Sequence, residues 1–185
     1  LPLRQWHLES AEPCKGRFET CPYSDAFEAI DPSWVWMDEF GDCSYRIIEA
    51  GGLEIHAANG RDLYWPIVSA PRLMREVAGD FAVEVCVSPA SNELAARSTK
   101  KPRIGGLLVW KDKDNLLCFE VGIGGQNEVR LHGCVGGKWQ VAGRGLLQAD
   151  GEAHLRLERK VNQFSTYCSA DGENWFTCGK MEIPI

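Results

Sequence analysis

Four charged residues of this 185-residue chain stand where they could bind a polar ligand: Glu84, Glu120, Arg156 and Glu158. Each lies in a short run in which apolar and polar residues alternate, as in the segment FAVEVCV around Glu84. Such alternation is typical of a β-strand with one buried face, so the charged side chains would project from the other face. If these strands share one concave sheet, carboxylates and a guanidinium line a single groove.

Three tryptophans, Trp65, Trp110 and Trp139, could supply flat apolar platforms beside these charges. Sugars combine hydroxyl groups, which need hydrogen-bond donors and acceptors, with a flat apolar ring face that stacks on an aromatic side chain. The set therefore favours an oligo- or polysaccharide ligand. In the alternative interpretation the glutamates pair with Arg156 in a cross-strand ladder and the tryptophans belong to the core.

The segment KDKDN at 111–115 places Asp112, Asp114 and Asn115 within one tight turn. Calcium takes six to eight oxygen ligands, and this spacing could supply three of them. The glycine and the terminal glutamate of an EF-hand loop are missing. We therefore expect a hairpin turn and no cofactor, with calcium as the alternative.

The elements that must position these residues are short strands separated by turn signals such as Asn59-Gly60 and Asp171-Gly172. No stretch has a sustained helical period, and strands at this spacing indicate a sandwich or barrel. The strands are predicted at 26–30, 34–40, 44–49, 53–57, 63–68, 81–88, 104–110, 116–123, 128–132, 138–141, 153–160, 164–169 and 175–178.

Composition narrows the possible partners. Hydrophobic residues make up 44% of the chain and charged residues 25%, which is ordinary for a globular protein. The net charge of −6 leaves no basic surface for nucleic acid or an anionic membrane, and no apolar run approaches the roughly 20 residues of a membrane span. The chain begins with Leu1, so we expect a processed product or a piece of a longer protein, of open localisation and oligomeric state.

The eight cysteines do not form a C-x-x-C pair, so zinc-ribbon and thioredoxin-like sites have no support. Cys86, Cys118 and Cys168 lie in strand-like runs and are predicted to be unpaired thiols, which favours a reducing compartment such as the cytoplasm. Cys14 and Cys21 flank a short polar loop, where a disulfide is the alternative to free thiols.

The order of several segments resembles the concanavalin A-like family that occurs alone in bacteria and at the C-terminus of some β-xylosidases. These segments are DPSWVW (31–36), LEIHA (53–57), GDFAVEV (79–85), GGLLVWKDKDN (105–115), HLRLERKVNQF (154–164) and SADGENW (169–175). The resemblance implies an all-β, jelly-roll sandwich of two antiparallel sheets, one of them concave, over residues 26–185. Residues 1–25, predicted to be an irregular lead-in, and the polar 88–103 loop lie outside it.

Three functions remain open. The first is a non-catalytic carbohydrate-binding or accessory module that uses the concave face, and the second is a protein-interaction or structural module of a larger chain. The third is a glycoside hydrolase, which needs two carboxyl groups about 5–9.5 Å apart. Glu84 and Glu120 would lie near 10 Å apart at the backbone if 80–123 formed a meander. Jelly-roll glucanases carry a compact E-x-D-x-x-E strand, which this sequence lacks.

Strand parity also predicts the core. The apolar positions of three strands share one parity, so they should face the space between the sheets, because a shift of one residue would expose them all. These positions are Phe81, Val83, Val85, Leu117, Phe119, Val121, Leu155 and Leu157.

Overall fold

A computed structural model describes residues 8–13, 25–49, 51–64, 67–88, 105–122, 128–148 and 151–185. These residues form antiparallel strands and contain no helix, which confirms the predicted all-β class. Nothing in the described residues is therefore a helix long and apolar enough to cross a membrane. The chain divides into two compact units, one of Leu1–Phe18 with Gly79–Ile185 and one of Glu19–Ala78.

The first unit contains two antiparallel sheets. The five-stranded sheet has the order β1-β13-β12-β11-β6, where the strands are β1 (Glu9–Ser10), β6 (Phe81–Val87), β11 (Ala153–Lys160), β12 (Gln163–Ser169) and β13 (Phe176–Glu182). The four-stranded sheet has the order β10-β9-β8-β7, where the strands are β7 (Gly105–Asp112), β8 (Asn115–Val121), β9 (Glu128–Val135) and β10 (Lys138–Leu146).

The core of the first unit lies between these two sheets. Leu155 and Leu157 of β11 and Leu117 and Phe119 of β8 are completely buried there. Of the predicted core positions, Phe81, Leu117, Phe119, Val121, Leu155 and Leu157 are buried, and Val85 packs against the cluster while partly exposed. Val83 is the exception, because it is 37% exposed on the edge strand β6 and has a neighbouring strand on one side only.

The second unit contains two short pairs of strands. β2 (Val35–Met37) pairs with β5 (Arg72–Met74), and β3 (Ser44–Ile47) pairs with β4 (Leu53–His56). The side chains of Trp36 and Tyr45 link the two pairs, with ring centroids 4.8 Å apart.

Two strands predicted in the second unit are not formed by the residues described there. In 26–30 the backbone of Phe27 is left-handed, with φ of 52°, and its N–H donates to the side chain of Asp25. In the described part of 63–68, the N–H of Tyr64 donates to Oδ1 of Asp62 at 3.1 Å and the N–H of Ile67 donates to the carbonyl oxygen of Tyr64 at 2.8 Å. In both segments hydrogen bonds to a nearby aspartate replace those of a sheet ladder.

The N-terminal lead-in was predicted to be irregular, but part of it joins the five-stranded sheet. Glu9 lies opposite Thr177 of β13, and the N–H of Ala11 donates to the carbonyl oxygen of Trp175 at 3.0 Å. A strand of two residues is too short to show alternation, so no sequence pattern could have revealed it.

The predicted turn between β12 and β13 is longer than two residues. Gly172 has φ of 77°, whereas Asp171 acts as a cap: its Oδ1 accepts the backbone N–H groups of Glu173 (2.8 Å) and Asn174 (2.7 Å). These hydrogen bonds hold the pKa of Asp171 far below its usual range. The turn is therefore fixed by a carboxylate that stays charged.

The backbones of β10 and β13, from opposite sheets, touch where each strand has a glycine. A Cβ added to Gly143 would lie 1.9 Å from the carbonyl oxygen of Cys178, and one added to Gly179 would lie 2.8 Å from that of Ala142. No side chain fits at either position, so the close approach of the two sheets along this side requires both glycines.

The first prediction concerns this contact. Gly143→Ala should lower the free energy of unfolding by about 2 kcal/mol or more, because the clash is with backbone that cannot rotate away. Gly105→Ala is the control, since its Cβ would meet only a methyl group of Val87 at 3.3 Å. Urea unfolding of both variants measures the difference, and equal losses would contradict the assignment.

A second prediction tests the core. Phe119→Ala should cost about 3–5 kcal/mol, because the ring is completely buried and its removal leaves a cavity. Val141→Ala, at a position that is 57% exposed, should change stability by less than about 0.5 kcal/mol. A loss below about 1 kcal/mol for Phe119→Ala would show that β8 turns its other face to the core.

Candidate functional site

Each sheet of the first unit has a face turned away from the inter-sheet core. On the five-stranded sheet this face carries Glu84, Arg156 and Glu158, and we call it the five-strand face. On the four-stranded sheet it carries Trp110, Glu120 and His132, and we call it the four-strand face. The structure thus divides the predicted site residues between opposite sides of the sandwich.

On the five-strand face Arg156 bridges two carboxylates. It lies directly opposite Glu84 across the β6–β11 ladder and forms an ion pair with it. Its Nε donates to Oε1 of Glu158 at 2.8 Å. The side chain of Glu158 is only 7% exposed, whereas that of Glu84 is 51% exposed. The three residues form the cross-strand ladder of the alternative interpretation.

Electrostatics in this ladder favour the charged guanidinium. Burial opposes the charge on Arg156, but the hydrogen bonds to Glu84 and Glu158 raise its pKa above the usual range. Arg156 therefore keeps its charge, and this charge beside Glu158 offsets the cost of burying that side chain.

On the four-strand face three side chains from adjacent strands lie in a row. Oε2 of Glu120 on β8 is 2.7 Å from Nε2 of His132 on β9, and the His132 ring lies 5.7 Å from the Trp139 ring on β10, with 31° between their planes. We call these residues the Trp–His–Glu row. His132 is 3% exposed and Trp139 half-buried, so most of the row is buried and only part of the Trp139 ring reaches the surface.

A second cluster of charges flanks the row. Glu128 forms an ion pair with Arg144, whose Nε lies 2.7 Å from Oε1, and it accepts hydrogen bonds from Nη2 of Arg144 at 3.0 Å and from Arg130 at 3.4 Å. The Glu128 side chain is 8% exposed and that of Arg144 is 42% exposed. The carboxylate thus holds a forked guanidinium donor at the surface of the sheet.

Glu84 and Glu120 do not share a groove. β6 lies in the five-stranded sheet while β7 and β8 lie in the four-stranded sheet, so 80–123 is not the meander on which the carboxylate pair depended. The inter-sheet core separates the two side chains, and a hydrolase mechanism that uses both of them is excluded.

The structure describes two of the three tryptophans that were predicted as platforms. Trp110 and Trp139 are half-buried on the four-strand face, outside the inter-sheet cluster. Trp65 lies outside the described residues, as do Cys14, Cys21 and the 89–103 part of the polar loop.

Three charged or polar residues of β9 were not among the predicted site residues. Glu128, Arg130 and His132 alternate with Val129 and Leu131, which is the same pattern that singled out the other site residues. Applying the parity rule to every strand would have found them.

The acidic side chains of the 111–115 segment accept hydrogen bonds from the turn itself. Oδ1 of Asp112 accepts the N–H of Asp114 at 2.8 Å and the side-chain amide of Asn115 at 3.0 Å, which is the geometry of the expected hairpin turn.

In the second unit a shallow, open concavity is lined by Asp25, Glu28 and Asp31 among others. It has no aromatic lining, so the four-strand face is the better candidate for ligand binding.

Two solved structures are similar to most of the chain. Both are crystal structures of the GH43 protein BlXynB from Bacillus licheniformis, the second of a mutant. The first has 14% sequence identity and a TM-score of 0.61, and the second has 15% and 0.63. Each match covers 86% of this chain but only 30% of the other, so the chain spans under a third of those proteins. At this identity the likeness shows a shared fold.

Comparison of the sequence with known families and curated proteins found no match. No protein-family model matches the chain, and no curated protein matches it significantly.

The third prediction concerns the ladder on the five-strand face. Arg156→Gln should cost about 2–3 kcal/mol, because the buried Glu158 carboxylate loses the guanidinium that compensates its charge. Glu84→Gln should cost less than about 1 kcal/mol, since that carboxylate is half in solvent. Urea unfolding at neutral pH compares them, and equal costs would contradict the asymmetry.

Proposed function

We propose that the chain is a non-catalytic carbohydrate-binding or accessory module that binds a neutral saccharide on the four-strand face. The observation that carries the proposal is the Trp–His–Glu row, which joins an aromatic ring at the surface to a fixed imidazole and carboxylate. Sugar recognition requires an apolar platform beside hydrogen-bonding groups.

The polar groups of this face suit hydroxyl groups. Arg144 offers N–H donors at the surface, while Glu128 and Glu120, whose side chains are 8% and 13% exposed, hold Arg144 and His132 in place. Because these side chains already hold one another in place, binding would cost little conformational entropy. Such a surface is expected to give millimolar-to-micromolar affinity, which corresponds to about 4–8 kcal/mol.

Charge favours a neutral ligand over a polyanionic one. The net charge is −6, and on this face the two arginines Arg130 and Arg144 are matched in number by the carboxylates Glu120 and Glu128. A sulfated or carboxylated glycan would find no net positive charge among these four residues.

The similarity of the fold to that of the GH43 protein also supports this proposal. The chain is similar to under a third of a GH43 protein, and GH43 denotes a glycoside hydrolase family. A β-sandwich of this size that accompanies or assists a carbohydrate-active protein fits that proportion. The separation of Glu84 from Glu120 favours binding over hydrolysis.

A protein-interaction module is the second candidate. Val141 is 57% exposed and Leu146 is 55% exposed, and both lie on β10 at the edge of the same four-strand face. Exposed apolar side chains beside an arginine match the composition of the central part of a protein interface.

The fourth prediction tests saccharide binding. The whole chain should bind at least one neutral glycan on a broad array, and Trp139→Ala should weaken that binding at least about tenfold, because the apolar platform is lost. Trp175→Ala is the matched control, since it removes a half-buried tryptophan from the β12–β13 turn instead. Glu120→Gln should weaken binding without unfolding the protein.

Three outcomes would contradict the proposal. Absence of binding across the array would leave the interaction module as the better candidate. Equal binding by the wild type and Trp139→Ala would place the ligand elsewhere. Hydrolysis of chromogenic glycosides by the purified chain would show that the module is catalytic.

A further inference from the structure

Three side chains with metal-binding groups meet at one end of the β6–β11 pair, on the opposite side of the sandwich from the Trp–His–Glu row. They are Cys86, Glu152 and His154, whose ligand atoms all lie within 4.8 Å of one another. Cys86 and Glu152 are exposed and His154 is half-buried, so an ion in solvent can reach all three.

The register of the sheet brings these residues together. His154 lies directly opposite Cys86 in the antiparallel ladder, and such partners have Cβ atoms about 4.5–5.5 Å apart. Glu152 immediately precedes β11 and stands two residues before His154, so both side chains leave the same face. The three positions are thus set by a β-ladder and not by a loose loop.

The imidazole is also held by the β12–β13 turn. A Cβ added to Gly172 would lie 3.5–3.6 Å from atoms of the His154 ring, so the ring packs against the backbone of that glycine. Asp171, beside it, caps the turn with two backbone hydrogen bonds. The ring therefore stands on a fixed surface on one side and faces Cys86 on the other.

We propose that Cys86, Glu152 and His154 bind a divalent transition-metal ion, with zinc as the best match. A thiolate, an imidazole and a carboxylate are the ligands that zinc takes in proteins. Zinc–ligand bonds of about 2.0–2.3 Å place ligand atoms roughly 3.3–3.8 Å apart, which small rotations of these side chains would reach. Three protein ligands leave a fourth tetrahedral position for water.

Zinc binding at this site would release one proton from Cys86. Without the ion the Cys86 thiol donates to Oε2 of Glu152 at 3.5 Å, and burial together with this hydrogen bond raises the pKa of the thiol. When zinc binds, a zinc–sulfur bond forms, the S–H bond breaks and one proton passes to water. Nothing is oxidised or reduced.

The other two groups of this kind among the described residues are less suited. In the group of Asp38, Asp42 and Cys43, the Asp42 carboxylate is engaged by Arg61, and Oδ2 of Asp38 accepts the N–H of Cys43 at 2.8 Å. In the group of Cys118, Glu120 and His132, Cys118 is 1% exposed and Glu120 is engaged by His132. In the first group an ion would have to displace Arg61, and in the second the buried thiol is closed to solvent.

The fifth prediction tests the site with cobalt(II) as a spectroscopic stand-in for zinc. Titration of the reduced, full chain with Co²⁺ should produce a thiolate-to-cobalt charge-transfer band in the near ultraviolet that saturates at one equivalent. Addition of Zn²⁺ should abolish the band, because zinc competes for the same ligands.

Variants identify the ligands. Cys86→Ser should remove the band and weaken zinc binding by at least about 100-fold, and His154→Ala should weaken zinc binding in the same direction. Cys43→Ser is the matched control and should keep both the band and the affinity. Circular dichroism verifies that each variant is folded.

Several results would overturn the assignment. These are a wild-type chain that gives no band at millimolar Co²⁺, a Cys86→Ser variant that keeps the band, and a Cys43→Ser variant that loses it. Glycan binding takes place on the other sheet, so failure of either proposal leaves the other one standing.

Discussion

One layer of apolar side chains between the two sheets determines which way the other side chains of these sheets point. β8 and β11 each contribute alternate residues to it, among them Phe119 and Leu157, and these are completely buried. Because side chains alternate with period two, fixing these positions also fixes which residues point away from the layer. A slip of one residue in β11 would bury Arg156 in the core and expose Leu155 and Leu157.

Glycine contacts set how closely the two sheets approach. Gly143 and Gly179 let the backbones of β10 and β13 touch along one side, where a methyl group would collide with a carbonyl oxygen. The closed side holds β10 in place, and β10 carries Trp139 and Arg144. The geometry of the proposed sugar-binding face therefore depends on two residues that have no side chain.

The two outward faces use charge differently. On the five-strand face Arg156 forms ion pairs with one buried and one exposed carboxylate, and the pair with Glu84 connects β6 to β11. On the four-strand face Glu128 and Glu120 hold Arg144 and His132 at fixed positions, next to an aromatic ring. Removing the partner of a buried carboxylate is costly because it leaves an uncompensated buried charge.

Sequence alone determined the class of fold, most strands of the first unit, and the side of each strand on which Glu84, Glu120, Arg156 and Glu158 project. Alternation carries this information because it is local. It does not say which strands share a sheet, so only the tertiary structure separated Glu84 from Glu120 and joined Glu120 to His132. The described residues form no strand at 26–30 or 63–68, and the strand Arg72–Met74 was not predicted. In such short segments, hydrogen bonds to side-chain caps and pairing with distant strands outweigh local strand propensity.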